Sequence, residues 1–495
     1  MIYLHPLLKS AAVLQRDRDL KLSGWSTTDR TVVLELNQEE HSTQVSSDGS
    51  FTIDLPAQAA GGPHRLVFST ESESVVLEDV YFGDVYLAGG QSNMQLSYGE
   101  SMHREEDRKH FNDPLLRAVF IPQRSTWPAD EKPWVWTCDD WNILSGSALD
   151  HFSAVAAYAG LRLRELDPSV AIGMVGCYMG ATSASCWTSA ESLHANPSLA
   201  VYQSAFEERI KPWLDPEVYE AATKQYQADS DRWQVAAAAF RQTHTDFLES
   251  ELNAAIGQVP WPPPENETSF MRPSGLYETM LKPLAGTSFK SALFYQGEAD
   301  LDHSELYVTL FAVMISDWRR LFGHLPIVQV QLPSYAPEPT DDDIWGRLRE
   351  AQRQVSRTIP DARHIVALDE SNLQDLHPTN KRLLGLRLGE VLSGRPALDA
   401  YLKHTVRSDD GITLQLELHP AYEIHIDAGF PYQYYEIEGD RIHLRFAKTP
   451  IKLSYGARNR SLASVFCRPK DAKQAPVSAV TELYGTLEAF IVDLD

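Results

Sequence analysis

The feature that most constrains this chain is a rhythm beginning near Val85, in which short apolar runs closed by glycine or polar residues alternate with longer stretches of helical period. The runs are Val85–Ala88, Ala171–Gly176, Ala292–Tyr295, Ile327–Leu332 and His364–Leu368; the helical stretches include Ala154–Leu166, Leu306–Phe322, Ile344–Arg357 and Arg382–Leu392. Strands that are apolar without alternation are buried on both faces, and a helix between consecutive strands leaves them parallel. The rhythm predicts an α/β unit with a central parallel sheet, and these runs suffice for a flavodoxin-like arrangement.

Outside that unit the period changes. Before about Glu78, alternating runs such as Thr31–Leu36 and Phe51–Leu55 are separated by turn signals, which predicts an N-terminal β-sandwich. After about Pro396, alternation returns in Ile412–Leu416 and Ile442–Phe446, a C-terminal β-rich, sandwich-like region. Residues Pro216–Ile256 read as long amphipathic helix ended by the breaker Pro260-Trp261-Pro262-Pro263-Pro264, a helical insertion. The expected division is 1–80 for the N-terminal module, 81–200 and 269–396 for the two parts of the α/β domain, 201–268 for the insertion and 397–495 for the C-terminal region.

The formal charge of −24 disfavours a nucleic-acid partner, because no basic run offsets it locally. No stretch approaches the roughly 20 apolar residues of a spanning helix, so no membrane partner is expected. The first twenty residues lack an apolar run of leader length, and the expected location is cytoplasmic. Cys138, Cys177, Cys186 and Cys467 lack metal-binding spacing and read as reduced core thiols.

Four loops carry chemistry. In Val85–Met94 a strand runs into Gly89-Gly90 and then Gln91-Ser92-Asn93, where the N–H groups of a following helix start would favour an oxyanion beside Ser92. A serine in that place is as well explained as the N-cap of an ordinary turn. The segment Gly176–Thr182, followed by Trp187, offers backbone N–H groups at Gly180 or Ala181. The segment Phe294–Asp300 brings Gln296, an amide donor, and Glu298, an acid or an ion-pair partner. The segment Asp375–Lys381 sets an acid beside His377, the pairing a general base needs. All four fall just after strands, where open α/β sheets place their sites.

Taken in order, GGQSNM, GATSASCW, YQGEAD and DLHPTNK resemble the four blocks of the sialate O-acetylesterase family within the SGNH hydrolases, with VLQRD, RPSGLYETML and LREAQ as further matches. The resemblance implies a three-layer SGNH hydrolase domain. It also implies a serine esterase in which Ser92 attacks the acetyl carbonyl and His377 takes its proton. Oxyanion donors would be the backbone N–H groups of Ser92 and Gly180 and the Gln296 amide, with no metal or organic cofactor.

Two departures stand out. Ala181 replaces the second of paired glycines, and Ser185 replaces a glutamate three residues after the threonine. The acid behind His377 stays open. Gln374 occupies the position three residues before the histidine where many SGNH enzymes carry it, which leaves Asp375, Glu298 or a Ser–His dyad. The implied substrate is an acetylated sugar, sialic acid 9-O-acetyl groups first and acetylxylan or another plant glycan second. A sialate carboxylate calls for a guanidinium, for which Arg272 and Arg104 are candidates, and Gln91, Asn93 and Trp187 are further substrate-binding candidates. A non-catalytic carbohydrate-binding protein is the rival of another class. Whether the chain forms a homo-oligomer stays open.

Overall fold

The computed structural model describes the chain except residues 28, 128–137, 245–246, 339–341, 409–410, 419, 421, 427–431, 433, 447–451, 456, 459–460, 462, 470–484 and 494–495. Its central sheet is built from β1 (Ser74–Gly90), β2 (Leu116–Phe120), β3 (Ile172–Tyr178), β4 (Ser291–Tyr295), β5 (Ile327–Gln331) and β6 (Ala362–Val366). The spatial order is β2-β3-β1-β4-β5-β6, every neighbouring pair parallel, with Asn142–Ile143 added antiparallel outside β2. Every residue of β3, β4 and β5 is buried, as strands covered on both faces must be. Each of the apolar runs read from the sequence overlaps one of these strands, three of them running one or two residues past an end. The additional strand, β2, carries Arg117 as its second residue, which hid it from an apolar-run search.

The helices that matter for the site are α1 (Ser92–Gln95), α2 (Ala154–Leu166), α3 (Pro216–Thr243), α4 (Glu249–Ile256), α5 (Tyr307–Phe322), α6 (Ile344–Thr358) and α7 (Arg382–Leu392). Four of them agree with the sequence to within a residue; in α6 Trp345, Leu348, Gln352 and Val355 form one buried stripe, while α2 is buried on nearly every side. The α2 and α7 backbones pack tightly at glycines, for a Cβ on Gly385 would lie 2.5 Å from Tyr158 Cβ.

The N-terminal region contains a three-stranded antiparallel sheet of Ile2–Leu4, Leu20–Ser26 and Ser50–Leu55. Further strands at Thr31–Leu36, Glu39–Gln44 and Gly61–Ser69 join the main sheet through the first half of β1. Thus β1 pairs antiparallel with Gly61–Ser69 from Ser74 to Phe82, then parallel with β3 from Asp84 to Gly90, so a single strand crosses the boundary expected near residue 80. The C-terminal strands include an antiparallel sheet of Tyr401–Ser408, Gly411–Glu417, Arg441–Arg445 and Tyr435–Glu438 around an apolar cluster of its own. The four cysteines are buried and unpaired. Among the described residues no helix is long and apolar enough to cross a membrane.

Candidate active site

Three strands end level with one another. Gly90 of β1 is the register partner of both Tyr178 of β3 and Tyr295 of β4, so the loops that follow leave the sheet at one point, where the strand order reverses. Gly90 has φ +137°, and a Cβ there would lie 2.2 Å from the Tyr295 carbonyl oxygen; only glycine permits this approach.

Buried polar side chains then lace the loops together. The Gln91 Oε1 accepts from the N–H groups of Gly297 at 3.3 Å and Ala299 at 3.2 Å, tying the first loop to the third. Asp300 accepts from Ser183 Oγ at 2.6 Å, the Ala184 N–H at 2.9 Å and Gln296 Nε2 at 2.5 Å, tying the third to the second. Burial raises the Asp300 pKa against the pull of these hydrogen bonds. Asn93 Nδ2 donates to Glu298 Oε1 at 2.6 Å and to the Leu376 carbonyl at 3.1 Å, while Lys381 Nζ donates to Asn93 Oδ1 at 2.9 Å, which ties in the fourth. Buried polar groups are costly unless paired, so this lacing holds one geometry.

At the convergence Ser92 Oγ lies 2.8 Å from His377 Nε2. The N-cap of α1 is Gln91, not Ser92, and the serine hydroxyl faces the imidazole instead of capping the helix. Gly180 sits beside it: a Cβ there would lie 3.5 Å from Ser92 Cβ. The Gly180 N–H donates to Gln95 Oε1 at 2.7 Å, so the exposed Gln95 side chain stands where a polarised oxygen would bind. On its other side His377 Nδ1 lies 3.3 Å from Glu249 Oε2, at the start of α4. Burial pushes the Glu249 carboxyl up, but its hydrogen bond and attraction to His377 outweigh this and hold its pKa below the ordinary value. Ser92 and His377 open into a cavity of about 590 Å³ whose far wall includes Trp233, Arg241, Phe247 and Leu252 of the insertion, and Arg104.

The other sequence candidates lie elsewhere. Asp375 does not meet His377: Oδ1 accepts the Ser250 N–H at 3.3 Å and Oδ2 accepts from Asn372 Nδ2 at 2.9 Å. Glu298 is engaged with Asn93, and burial raises its pKa. The Gln296 amide is buried and donates to Asp300, to Gln91 Oε1 and to the Thr182 carbonyl, so it serves the lacing rather than the cavity. Gln91 and Asn93 are likewise buried lacing residues rather than sugar contacts. Trp187 is a core residue whose Nε1 donates to Thr182 Oγ1 at 2.9 Å. Arg272 donates to the carbonyl oxygens of Ser125, Thr268 and Ser269, away from the cavity lining. Glu249, Arg241 and Gln95 escaped the sequence reading, since the first two lie in the insertion and have no spacing relation to any motif.

Ala181 adopts φ +61°, the left-handed region, which gives the paired glycines of the resembled motif a physical reason. Ser185 is buried, its N–H donating to Ser183 Oγ at 3.1 Å.

Residues 215–393 match the family described as carbohydrate esterase, sialic acid-specific acetylesterase, a span that contains most of the insertion and the third and fourth motifs but not Ser92. The chain is 24% identical to the sialate O-acetylesterase of Mus musculus over 403 residues, covering 74% of this chain and 68% of that one. It is 23% identical to the Homo sapiens sialate O-acetylesterase over 401 residues, covering 74% and 65%. In three dimensions it is similar over the whole of both chains to a carbohydrate acetylesterase from Xanthomonas citri, with a TM-score of 0.73 at 23% identity, a likeness of fold. These findings agree with the resemblance carried by the four motifs: the match over 215–393 and the similarity to the sialate O-acetylesterases support a carbohydrate O-acetylesterase.

Proposed function

We propose that the chain hydrolyses O-acetyl esters of sugars, sialic acid 9-O-acetyl groups first among them, by an acetyl-enzyme on Ser92 with His377 as general base, on a three-layer SGNH domain. The observation that carries this reading is the 2.8 Å separation of Ser92 Oγ and His377 Nε2 at the mouth of a cavity large enough for a monosaccharide.

Ser92 Oγ adds to the acetyl carbonyl carbon while its proton passes to His377 Nε2. The carbonyl oxygen becomes an oxyanion held by the Ser92 and Gly180 backbone N–H groups, with Gln95 Oε1 yielding its place on Gly180. When the tetrahedral adduct collapses, the C–O bond to the sugar breaks and the imidazolium returns the proton to the departing sugar oxygen. Water, deprotonated by His377, then adds to the acetyl-enzyme and acetate leaves, restoring the Ser92 hydroxyl.

Arg104 and Arg241 line the cavity and supply the cationic groups an acidic sugar needs, a role the sequence had offered to Arg272 and Arg104. Acetate release from acetylated sialic acids and from acetylated xylan and xylo-oligosaccharides tests the substrate. The expected order is free 9-O-acetylated sialic acid over intact xylan, and the reverse order would replace the first substrate by the second.

A further inference from the structure

We propose that Glu249 is the acid that orients His377, so that the helical insertion and none of the four motifs completes the site. The inference rests on the reading of Ser92 and His377 as nucleophile and base.

An imidazole accepts a proton at Nε2 only if its other proton is on Nδ1, and a carboxylate at Nδ1 both holds that tautomer and stabilises the imidazolium that forms. Among the described residues the carboxylate at hydrogen-bond distance from His377 Nδ1 is Glu249, at 3.3 Å. Neither rival is hydrogen-bonded to Nδ1: Asp375 accepts from the Ser250 N–H and Asn372, and Glu298 accepts from Asn93 through Oε1 while its buried Oε2 has no hydrogen-bond partner among the described residues.

The commitment of Asp375 has a use. By accepting the Ser250 N–H it holds the first turn of α4, the turn that begins with Glu249. The fourth motif thus grips the insertion with Asp375 while His377 receives the neighbouring Glu249 from it. The rest of the insertion is braced to match. Trp233 Nε1 of α3 donates to the Gly257 carbonyl at 2.9 Å just past α4, Phe240 and Phe247 meet edge to face at 5.1 Å, and Leu252 is buried. Glu249 is a positioning residue: it touches His377 and not the reacting ester.

The test uses p-nitrophenyl acetate, which asks nothing of the sugar subsite, with E249Q, E249A, D375N and S92A. E249Q and E249A are expected to lower kcat about 10²-fold with KM changed less than about threefold, below the roughly 10⁴-fold of a fully buried triad acid because this pair is part-exposed. Formate restores kcat in E249A, where it can occupy the vacated place, and not in E249Q. The downfield proton resonance of His377 Nδ1–H shifts or vanishes in E249Q and persists in D375N, whose kcat falls less than about tenfold. Wild-type kcat in E249Q, or a larger loss in D375N, overturns the proposal. So does a loss in E249A that formate does not restore while the proton resonance in E249Q stays in place, since that is structural damage alone. Activity surviving in S92A overturns the underlying reading instead, and so separates the two failures.

Discussion

The two regions that meet at the cavity are built on opposite terms. The four motif loops are short, rise from the ends of buried strands, and are cross-tied by side chains such as Gln91, Asn93, Gln296 and Asp300, none more than 3% exposed. The insertion has a single buried residue, Ala237, in the whole of α3, and leaves Val218 and Val235 exposed. Loops placed by a sheet can hold reacting atoms to a fraction of an ångström, whereas a surface helical hairpin can change its lining with few consequences for the core. On the proposed mechanism the covalent chemistry falls to the first region, while the second supplies Glu249 behind His377 and the shape and charge of the leaving-group side.

Substitutions sharpen that contrast in descending order. Ser92→Ala should reduce acetate release from every ester by about 10⁴-fold or more with the circular dichroism unchanged, and activity that survives would remove the motif loops from the chemistry. Gly90→Ala drives a methyl into the Tyr295 carbonyl at a left-handed φ and should cost about 3 kcal/mol or more in urea unfolding, together with activity. On the insertion side, Arg241→Ala should raise KM for acetylated sialic acid about tenfold, roughly 1.4 kcal/mol, relative to its effect on a neutral aryl acetate. An equal effect on both esters would deny the insertion its part in recognising charge. Smallest of all, Ala181→Gly relieves a left-handed residue but loosens the unfolded chain. Urea unfolding should show a gain below about 1 kcal/mol, and a large loss would mean that the methyl packs usefully.

The same contrast explains what could be read in the sequence. Strands buried on both faces and helices with strong spacing announce themselves, which is why β4 and α6 were legible and why Ser92, Gly180 and His377 could be assigned to one edge of the sheet. A glycine such as Gly90, required by a neighbouring backbone, leaves a mark as well. Asp375 shows the limit. Its neighbour in sequence was the natural partner, yet the backbone turns it toward Ser250, and Glu249 arrives from 128 residues away. Gln296 shows another limit. An amide in a motif reads as a donor to substrate until a buried carboxylate, here Asp300, is seen to claim it. Chain proximity predicts contact on a helix or strand but not across a loop, and no period or spacing encodes a contact between an insertion and a motif.

The long strand β1 has a consequence of another kind. Its first half is an edge partner of the N-terminal β strands and its last residue is Gly90, two before Ser92, with no break in the strand between them. A β module attached by a linker can be gained, lost or exchanged between proteins as a cassette. Here the cut would pass through the strand that leads to Ser92, where Arg16 and Lys290 both grip Asp84. The N-terminal strands and the loop that bears Ser92 are therefore one continuous structural unit, and the N-terminal region is the footing on which that loop stands.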